Sequence, residues 1–301
     1  MPKEGKDFIF SRHTERSDGA FGRDEGKEES EDYPSITKEG EKKAREIAQG
    51  EFTQTIEDLD EGGIMFIGGS SEEERTKATA NVVGEELAEQ FGGREDVIVY
   101  RESDIEELRE GAKREHRSPL KMIQEIIGDN PNKKIVFVFP LYLKEFSLRP
   151  HHRDKDTGEH TQYVKELLRR TGADEKRAAL EWFRNEGKIE APEEVLEVPS
   201  PQETAETHIR GINRLCEFAR QFIEDRPLSI GLVGHGWQLD ALAVYLANNG
   251  VVNAESFEEL FGGEPLKQPE AGRVRIREEG TVFIYRGREY EVPSDLLEKE
   301  E

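Results

Sequence analysis

Phe8-Ile9-Phe10-Ser11-Arg12-His13-Thr14-Glu15-Arg16 is the stretch on which the fold turns. Its three apolar residues form a short run that reads as a buried strand, and a polar Ser-Arg-His follows at once. The same pattern recurs downstream. Ile64-Met65-Phe66-Ile67 runs into Gly68-Gly69-Ser70-Ser71. Ala78, Val82, Val83, Leu87 and Phe91 then follow at helical spacing up to Gly92-Gly93. Ser71 and Glu74 have capping-box spacing at the start of that helix. Val97-Ile98-Val99-Tyr100 reads as a third strand. A long amphipathic helix over about 202–224 precedes Ser229-Ile230-Gly231-Leu232-Val233, which ends in Gly234-His235-Gly236 and another helix. Thr37 caps a helix to about Gln49, closed by Gly50. Residues 17–35, rich in Gly, Asp and Glu, read as a long mobile loop. Strand, polar loop and helix in repetition predict an α/β protein: a three-layer sandwich around a mostly parallel central sheet.

The middle breaks that rhythm. Residues 112–200 hold a helix after Ser118-Pro119, the apolar run Ile135-Val136-Phe137-Val138-Phe139 and a very polar stretch at 149–160. Two helices follow at about 161–171 and 173–186, then a Pro-punctuated linker at 192–201. The expectation is an inserted cap, 112–200, carried by an α/β domain of 1–111 and 201–301. The run at 135–139 also suits the main sheet. Residues 273–292 alternate apolar and polar around Glu279-Gly280 and Arg286-Gly287, which predicts a terminal hairpin.

Composition narrows the function. With 66 acidic and 43 basic residues the chain carries a net charge of −23, which argues against a general nucleic-acid binder. The single cysteine, Cys216, excludes an internal disulfide and any Cys-rich zinc site; its place on the apolar side of a helix predicts core. No apolar run approaches a membrane span, and Phe8-Ile9-Phe10 is too short for the core of a signal peptide. The expectation is a cytoplasmic protein with an acidic surface.

Three features sit just past strand ends, where an open α/β sheet presents ligands. They are Arg12-His13-x-x-Arg16, Ser70-Ser71-x-x-x-Arg75-Thr76-x-x-Thr79-Ala80, and Gly234-His235-Gly236. If the strands are neighbours, two His and three Arg converge. Such a cluster favours an anion among them. Arg forks match phosphate oxygens, and a His supplies a nucleophile, so the pattern points to phosphoryl transfer through a phosphohistidine. His151-His152-Arg153-Asp154-Lys155-Asp156-Thr157-Gly158 suggests a metal loop. It lacks an acid at the twelfth position, which is Lys165, and reads instead as a mobile polar loop. An alternative role for that loop is to cover the site and bring Arg149, His151 or Arg153 to a substrate.

The motifs resemble those of the histidine phosphatase superfamily, in the branch that includes cofactor-dependent phosphoglycerate mutase. Arg12-His13-Thr14-Glu15-Arg16 is similar to the family's Arg-His-Gly-x-Arg. Asp32-Tyr33-Pro34-Ser35-Ile36-Thr37-Lys38-Glu39-Gly40 is similar to its Asp-x-Pro-x-Leu-Thr-x-x-Gly. Ser70, Ser71, Arg75, Thr79 and Ala80 match its Ser-Ser motif in full, and Val233-Gly234-His235-Gly236 resembles its second His motif. The resemblance covers about 7–111 and 200–248. Thr14 stands where the motif has Gly, and the loop after Arg16 lacks the Trp-Asn pattern of true mutases, which favours a phosphatase.

The resemblance implies that His13 is the nucleophile and that Arg12, Arg16, Arg75 and His235 hold the phosphoryl oxygens. It implies no metal and no cofactor. Glu107, in Ile105-Glu106-Glu107-Leu108-Arg109-Glu110-Gly111, takes the register of the family's proton donor, with Glu106 and Glu110 as close competitors. A donor must be held protonated, by burial or by neighbouring acids. The other branch's Asp after the second His is absent, because position 236 is Gly. The expected activity is hydrolysis of a phosphorylated small molecule through a phosphohistidine on His13. The alternatives are a mutase-type phosphotransferase and a non-catalytic phospho-ligand or protein-binding module. No nucleic-acid or membrane partner is expected, and a homodimer is left open.

Overall fold

The computed structural model describes residues 6–15, 27–69, 72–138, 144–147, 159–223, 226–277 and 279–297. In chain order the strands are β1 (Lys6–Arg12), β2 (Ile64–Gly69), β3 (Val97–Tyr100), β4 (Lys134–Val138), β5 (Lys188–Glu190), β6 (Val195–Glu197), β7 (Leu228–Gly234), β8 (Ala271–Arg277), β9 (Gly280–Tyr285) and β10 (Arg288–Val292). The α-helices are α1 (Lys38–Ile47), α2 (Thr53–Glu57), α3 (Glu74–Phe91), α4 (Glu102–Arg114), α5 (Pro119–Asp129), α6 (Gln162–Thr171), α7 (Glu175–Arg184), α8 (Pro201–Ile223), α9 (Gly236–Ala247) and α10 (Ala254–Phe261).

The chain is an α/β protein around an eight-stranded sheet of order β10-β9-β8-β1-β7-β2-β4-β3. The strands β1, β7, β2, β4 and β3 are parallel to one another, while β8, β9 and β10 continue antiparallel from the β1 edge. Period-two alternation explains the three layers. Phe8, Phe10, Phe66 and Phe137 point into one core with Ile209 and Ile212 of α8 and Leu239 and Leu242 of α9. Ile9, Met65, Ile67, Val136 and Val138 point into the other, with Phe52, Val83 and Leu87. A sheet buried on both faces needs strands apolar on both sides, and runs such as 64–67 supply them.

Several elements depart from the expected bounds. The apolar run at 135–138 takes the main-sheet alternative: β4 lies between β2 and β3. The remainder of 112–200 is not walled off from the α/β core. Trp182 and Phe183 of α7 and Leu167 of α6 share the core that holds α8 and α9, and the two-stranded β5-β6 sheet sits at the end of α7. The predicted hairpin at 273–292 is a three-stranded meander, because both turn signals are used. Thr37 caps α1 as expected, its side chain accepting from the Gly40 N–H. Ser71 lies outside the described residues. α3 starts at Glu74, and its N-cap Glu73 makes no side-chain capping bond to the helix backbone. Within the loop at 17–35, residues 27–35 fold back onto the start of α1: the Ser30 N–H donates to the Ile36 carbonyl and the Tyr33 N–H to the Ser30 hydroxyl. Cys216 is half-buried against the core, and burial pushes its thiol up to about 12.

Candidate active site

The register of the parallel strands builds the site. Arg12 is opposite Gly234, and Gly69 is opposite Val233. The ends of β1, β7 and β2 are therefore side by side, and the residues just past each end meet those past the other two. The His13 N–H donates to the Gly234 carbonyl at 2.9 Å, which ties the first His to the residue before the second. Gly69 lets the end of β2 come close to the first turn of α3. A Cβ there would lie 2.6 Å from the Lys77 N and 2.7 Å from the Thr76 carbonyl carbon. That approach carries Arg75, the second residue of α3, over the ends of β1 and β7.

Arg12, His13, Arg75 and His235 come together, all buried. The two imidazoles are 5.2 Å apart between centroids, inclined at 65°. Arg75 lies against both. Its Nε donates to His13 Nε2 at 3.2 Å, and its Nη2 is 3.4 Å from His235 Nδ1. His13 Nδ1 is 2.7 Å from the Thr14 carbonyl, an acceptor only, so Nδ1 carries a proton. Nε2, which accepts from Arg75, is then the lone-pair nitrogen, turned toward the cations. Arg16, the fifth member of the predicted cluster, lies outside the described residues, as do Ser70, Arg149, His151, His152 and Arg153.

Thr14, the departure from the motif's Gly, is accommodated by a partner. Its N–H donates to Thr79 Oγ1 at 3.2 Å and its hydroxyl lies 3.2 Å from the same oxygen. Thr79 in turn donates to the Arg75 carbonyl at 2.8 Å, so the Thr of the Ser-Ser motif holds the His13 loop to the helix that carries Arg75.

Two carboxylates balance the cations. Arg12 Nη2 pairs with Glu175, at the start of α7. Arg75 Nη1 pairs with Glu73 at 2.8 Å. A buried guanidinium without an anion is costly, and the protein supplies these two itself. Glu73 was legible in the acidic run before Arg75. Glu175 was not, since an acid in a first helical turn is ordinary and only the tertiary contact brings it to Arg12. A ligand anion must therefore compete with built-in carboxylates for the Arg forks.

Behind Arg12 lies Asp240 of α9, 1% exposed. Burial pushes its carboxyl up to about 8, against the pull of Arg12 and Arg286 and with the push of Glu175. Unfolded, such a carboxyl titrates near ~3.9. Between those values the native state keeps a proton that the unfolded chain has released, so Asp240 lowers stability as pH rises from about 4 to about 8. Asp240→Asn, with no proton to lose, is expected to flatten the fall of melting temperature over that window. An unchanged slope in a pH series of thermal melts counts against the protonated carboxyl.

Gly236 has a steric reason. A Cβ there would lie 2.9 Å from Arg12 Cζ and 2.9 Å from Arg12 Nε, because the guanidinium lies flat against the backbone. Gly236→Ala is expected to displace Arg12 and weaken phosphate binding, with about 1–3 kcal/mol lost from overpacking. Calorimetry with inorganic phosphate beside thermal melting checks this, and unchanged phosphate affinity would show that Arg12 need not sit there.

Glu107 is not brought to this cluster. It is exposed on α4, beside a surface depression it shares with Tyr100, Ser103 and Met122. α4 follows β3, the edge strand, with β4, β2 and β7 between it and β1. Glu106 and Glu110 are exposed as well, and Glu110 is held below the usual carboxylate range by Lys113. The burial expected of a proton donor is absent at all three. Among the described residues no group of three His, Cys, Asp or Glu is placed to hold a metal ion, and no helix is long and apolar enough to cross a membrane.

No family model and no curated protein matches the chain. Solved structures do. A mycobacterial glucosyl-3-phosphoglycerate phosphatase aligns at 12% identity over 89% of each chain, with a TM-score of 0.40. A candidate alpha-ribazole-5'-P phosphatase from Escherichia coli aligns at 15% identity over 93% of this chain and 95% of that one, with a TM-score of 0.43. The product of an open reading frame of Mycobacterium tuberculosis aligns at 13% identity over 94% and 97%, with a TM-score of 0.42. Identity and superposition are too low for these to speak for the chemistry of this chain, which rests on its own residues.

Proposed function

We propose that the chain is a phosphomonoesterase of the histidine phosphatase type, acting on a phosphorylated small molecule through a phosphohistidine on His13. The observation that carries this reading is the 2.7 Å contact of His13 Nδ1 with the Thr14 carbonyl, from which the tautomer is assigned. Its Nδ1 proton is committed to the Thr14 carbonyl, so the Nε2 lone pair faces Arg75, beside His235. A neutral imidazole of that orientation is a nucleophile aimed at the spot where fixed cations gather.

That arrangement supports the following course. The Nε2 lone pair attacks phosphorus, the P–N bond forms and the bond to the leaving oxygen breaks. Arg12, Arg75 and His235 draw the charge that spreads over the equatorial oxygens; Arg16 joins them by the motif. Water then attacks the phosphohistidine, inorganic phosphate leaves and His13 is restored. Transfer to a second substrate hydroxyl instead of water is the mutase outcome, which the absent Trp-Asn pattern disfavours. The remaining part of 112–200 is proposed to shape substrate choice, since α7 reaches the cluster through Glu175.

The test is hydrolysis of p-nitrophenyl phosphate at mildly acidic pH, with quenching in alkali and digestion to recover an alkali-stable, acid-labile phosphohistidine at residue 13. Turnover without any such adduct removes the covalent step. No turnover on a panel of phosphorylated metabolites, together with tight phosphate binding, gives the site to a non-catalytic phospho-ligand module.

The proton for the leaving oxygen can be tested separately. Because Glu107 is exposed at the edge of the sheet, Glu107→Gln is expected to leave alkyl and aryl phosphates equally active. A well-placed acid contributes roughly 10²–10⁴-fold, and mainly for poor leaving groups. Slowing of alkyl phosphates alone would return the donor to Glu107.

A further inference from the structure

We propose that Asp240 is a positioning residue for Arg12, acting through Leu266; the inference rests on the phosphatase reading of the site. Leu266 lies in the irregular connection between α10 and β8, fully buried. Its N–H donates to Asp240 Oδ1 at 2.7 Å, and its carbonyl accepts from Arg12 Nη1 at 2.6 Å. One loop residue is thus pinned by a helix carboxyl on one side and grips the guanidinium on the other.

Two observations single out this relay. Among the described residues, Asp240 is a buried acid with no ion pair, and its Oδ2 has no partner. An unpartnered buried polar atom of that kind costs stability whatever its role. What its other oxygen does is fix the backbone that holds Arg12. Arg12, for its part, has little else to define its plane. Its Nη2 pairs with Glu175 on a different element, its Nε has no partner among the described residues, and its flat face rests on Gly236. Without the carbonyl of Leu266 the fork is free to follow Glu175 away from the end of β1. A displacement of about 1 Å at a phosphate clamp is enough to lose on the order of a hundredfold in rate.

The experiment measures inorganic phosphate affinity by calorimetry, with KM and kcat on p-nitrophenyl phosphate, for Asp240→Asn and Asp240→Leu. Asn keeps the acceptor oxygen, so affinity and KM are expected to stay close to wild type. Leu removes it, and phosphate affinity is expected to fall at least about tenfold, with a matching rise in KM. In an Arg12→Ala background, Asp240→Leu is expected to cause no further loss, because the group it positions is gone. Unchanged phosphate affinity in Asp240→Leu overturns the proposal. So does a loss in Asp240→Asn as large as in Asp240→Leu, or an undiminished loss in the Arg12→Ala background. If Asp240→Leu does not fold, Asp240→Ala is read in the same way, and Asp240→Asn decides on its own by keeping or losing affinity. Wild-type protein that binds no phosphate takes down the phosphatase reading and this proposal together. Phosphate binding that is equally tight in wild type and Asp240→Leu removes only the relay.

Discussion

His13→Ala is expected to lose at least roughly three orders of magnitude in p-nitrophenyl phosphate turnover while keeping its melting temperature within a few degrees of wild type. The rate falls because the covalent step has no substitute. Water entering the space left by the imidazole has neither the lone pair of Nε2 nor its fixed direction. The fold survives because His13 lies past the end of β1, and what holds the strand is its backbone pairing to β7 and β8. The truncation also releases the Thr14 carbonyl and Arg75 Nε from their partners, so a modest change in stability is allowed for. Activity within about tenfold of wild type, measured on protein purified apart from any host phosphatase, would remove His13 as nucleophile.

Arg75→Met is the next largest. Arg75 touches His13 and His235 at once, so it is the side chain that joins the two His motifs into one site. Removing a single preorganised donor to a developing oxyanion costs about 10²–10³ in kcat, and that loss is expected here. Met keeps most of the volume and the apolar stem, so packing at this buried position is largely retained. Glu73 then loses its partner, and at neutral pH phosphate affinity should fall as an acid replaces a cation at the pocket. Measuring kcat, KM and phosphate affinity together separates the outcomes. A loss in KM with kcat intact would make Arg75 a binding group only, without the transition-state role assigned to it.

Much of this was legible in the linear chain because the signals are local. Phe8-Ile9-Phe10 and Ile64–Ile67 announce strands buried on both faces, since no polar residue interrupts them. Arg12, His13, Arg75 and His235 were picked out because strand ends in an α/β sheet collect ligands, and the register of β1, β7 and β2 places them together. Thr37 was read as a cap for the same kind of reason: an Ncap bond involves residues three apart. Glu107 illustrates the opposite case. It has the register of the family's proton donor before Gly111, but register says nothing about exposure, and β3 being an edge strand is a fact of sheet order. The different rhythm of 112–200 suggests an inserted cap, with the run at 135–139 also suiting the main sheet; β4 takes that place in the sheet, and Trp182 lies in the main core. The helix expected over about 173–186 carries no local mark of which core receives it.

The amino-acid sequence by itself determined the alternation of strands and helices, the two His and the Arg that follow strand ends, and the absence of room for disulfide or Cys-rich metal chemistry. Those depend on residue type and spacing along the chain, which neighbouring residues settle among themselves. Tertiary structure alone decided the order of the sheet, the exposure of Glu107, the pairing of Arg12 with Glu175 across 163 positions of chain, and the burial of Asp240 beneath Leu266. Each of these depends on which segments far apart in the chain meet and which do not. The free energy of such a contact comes from desolvation and charge pairing at one point in space, which no local pattern encodes.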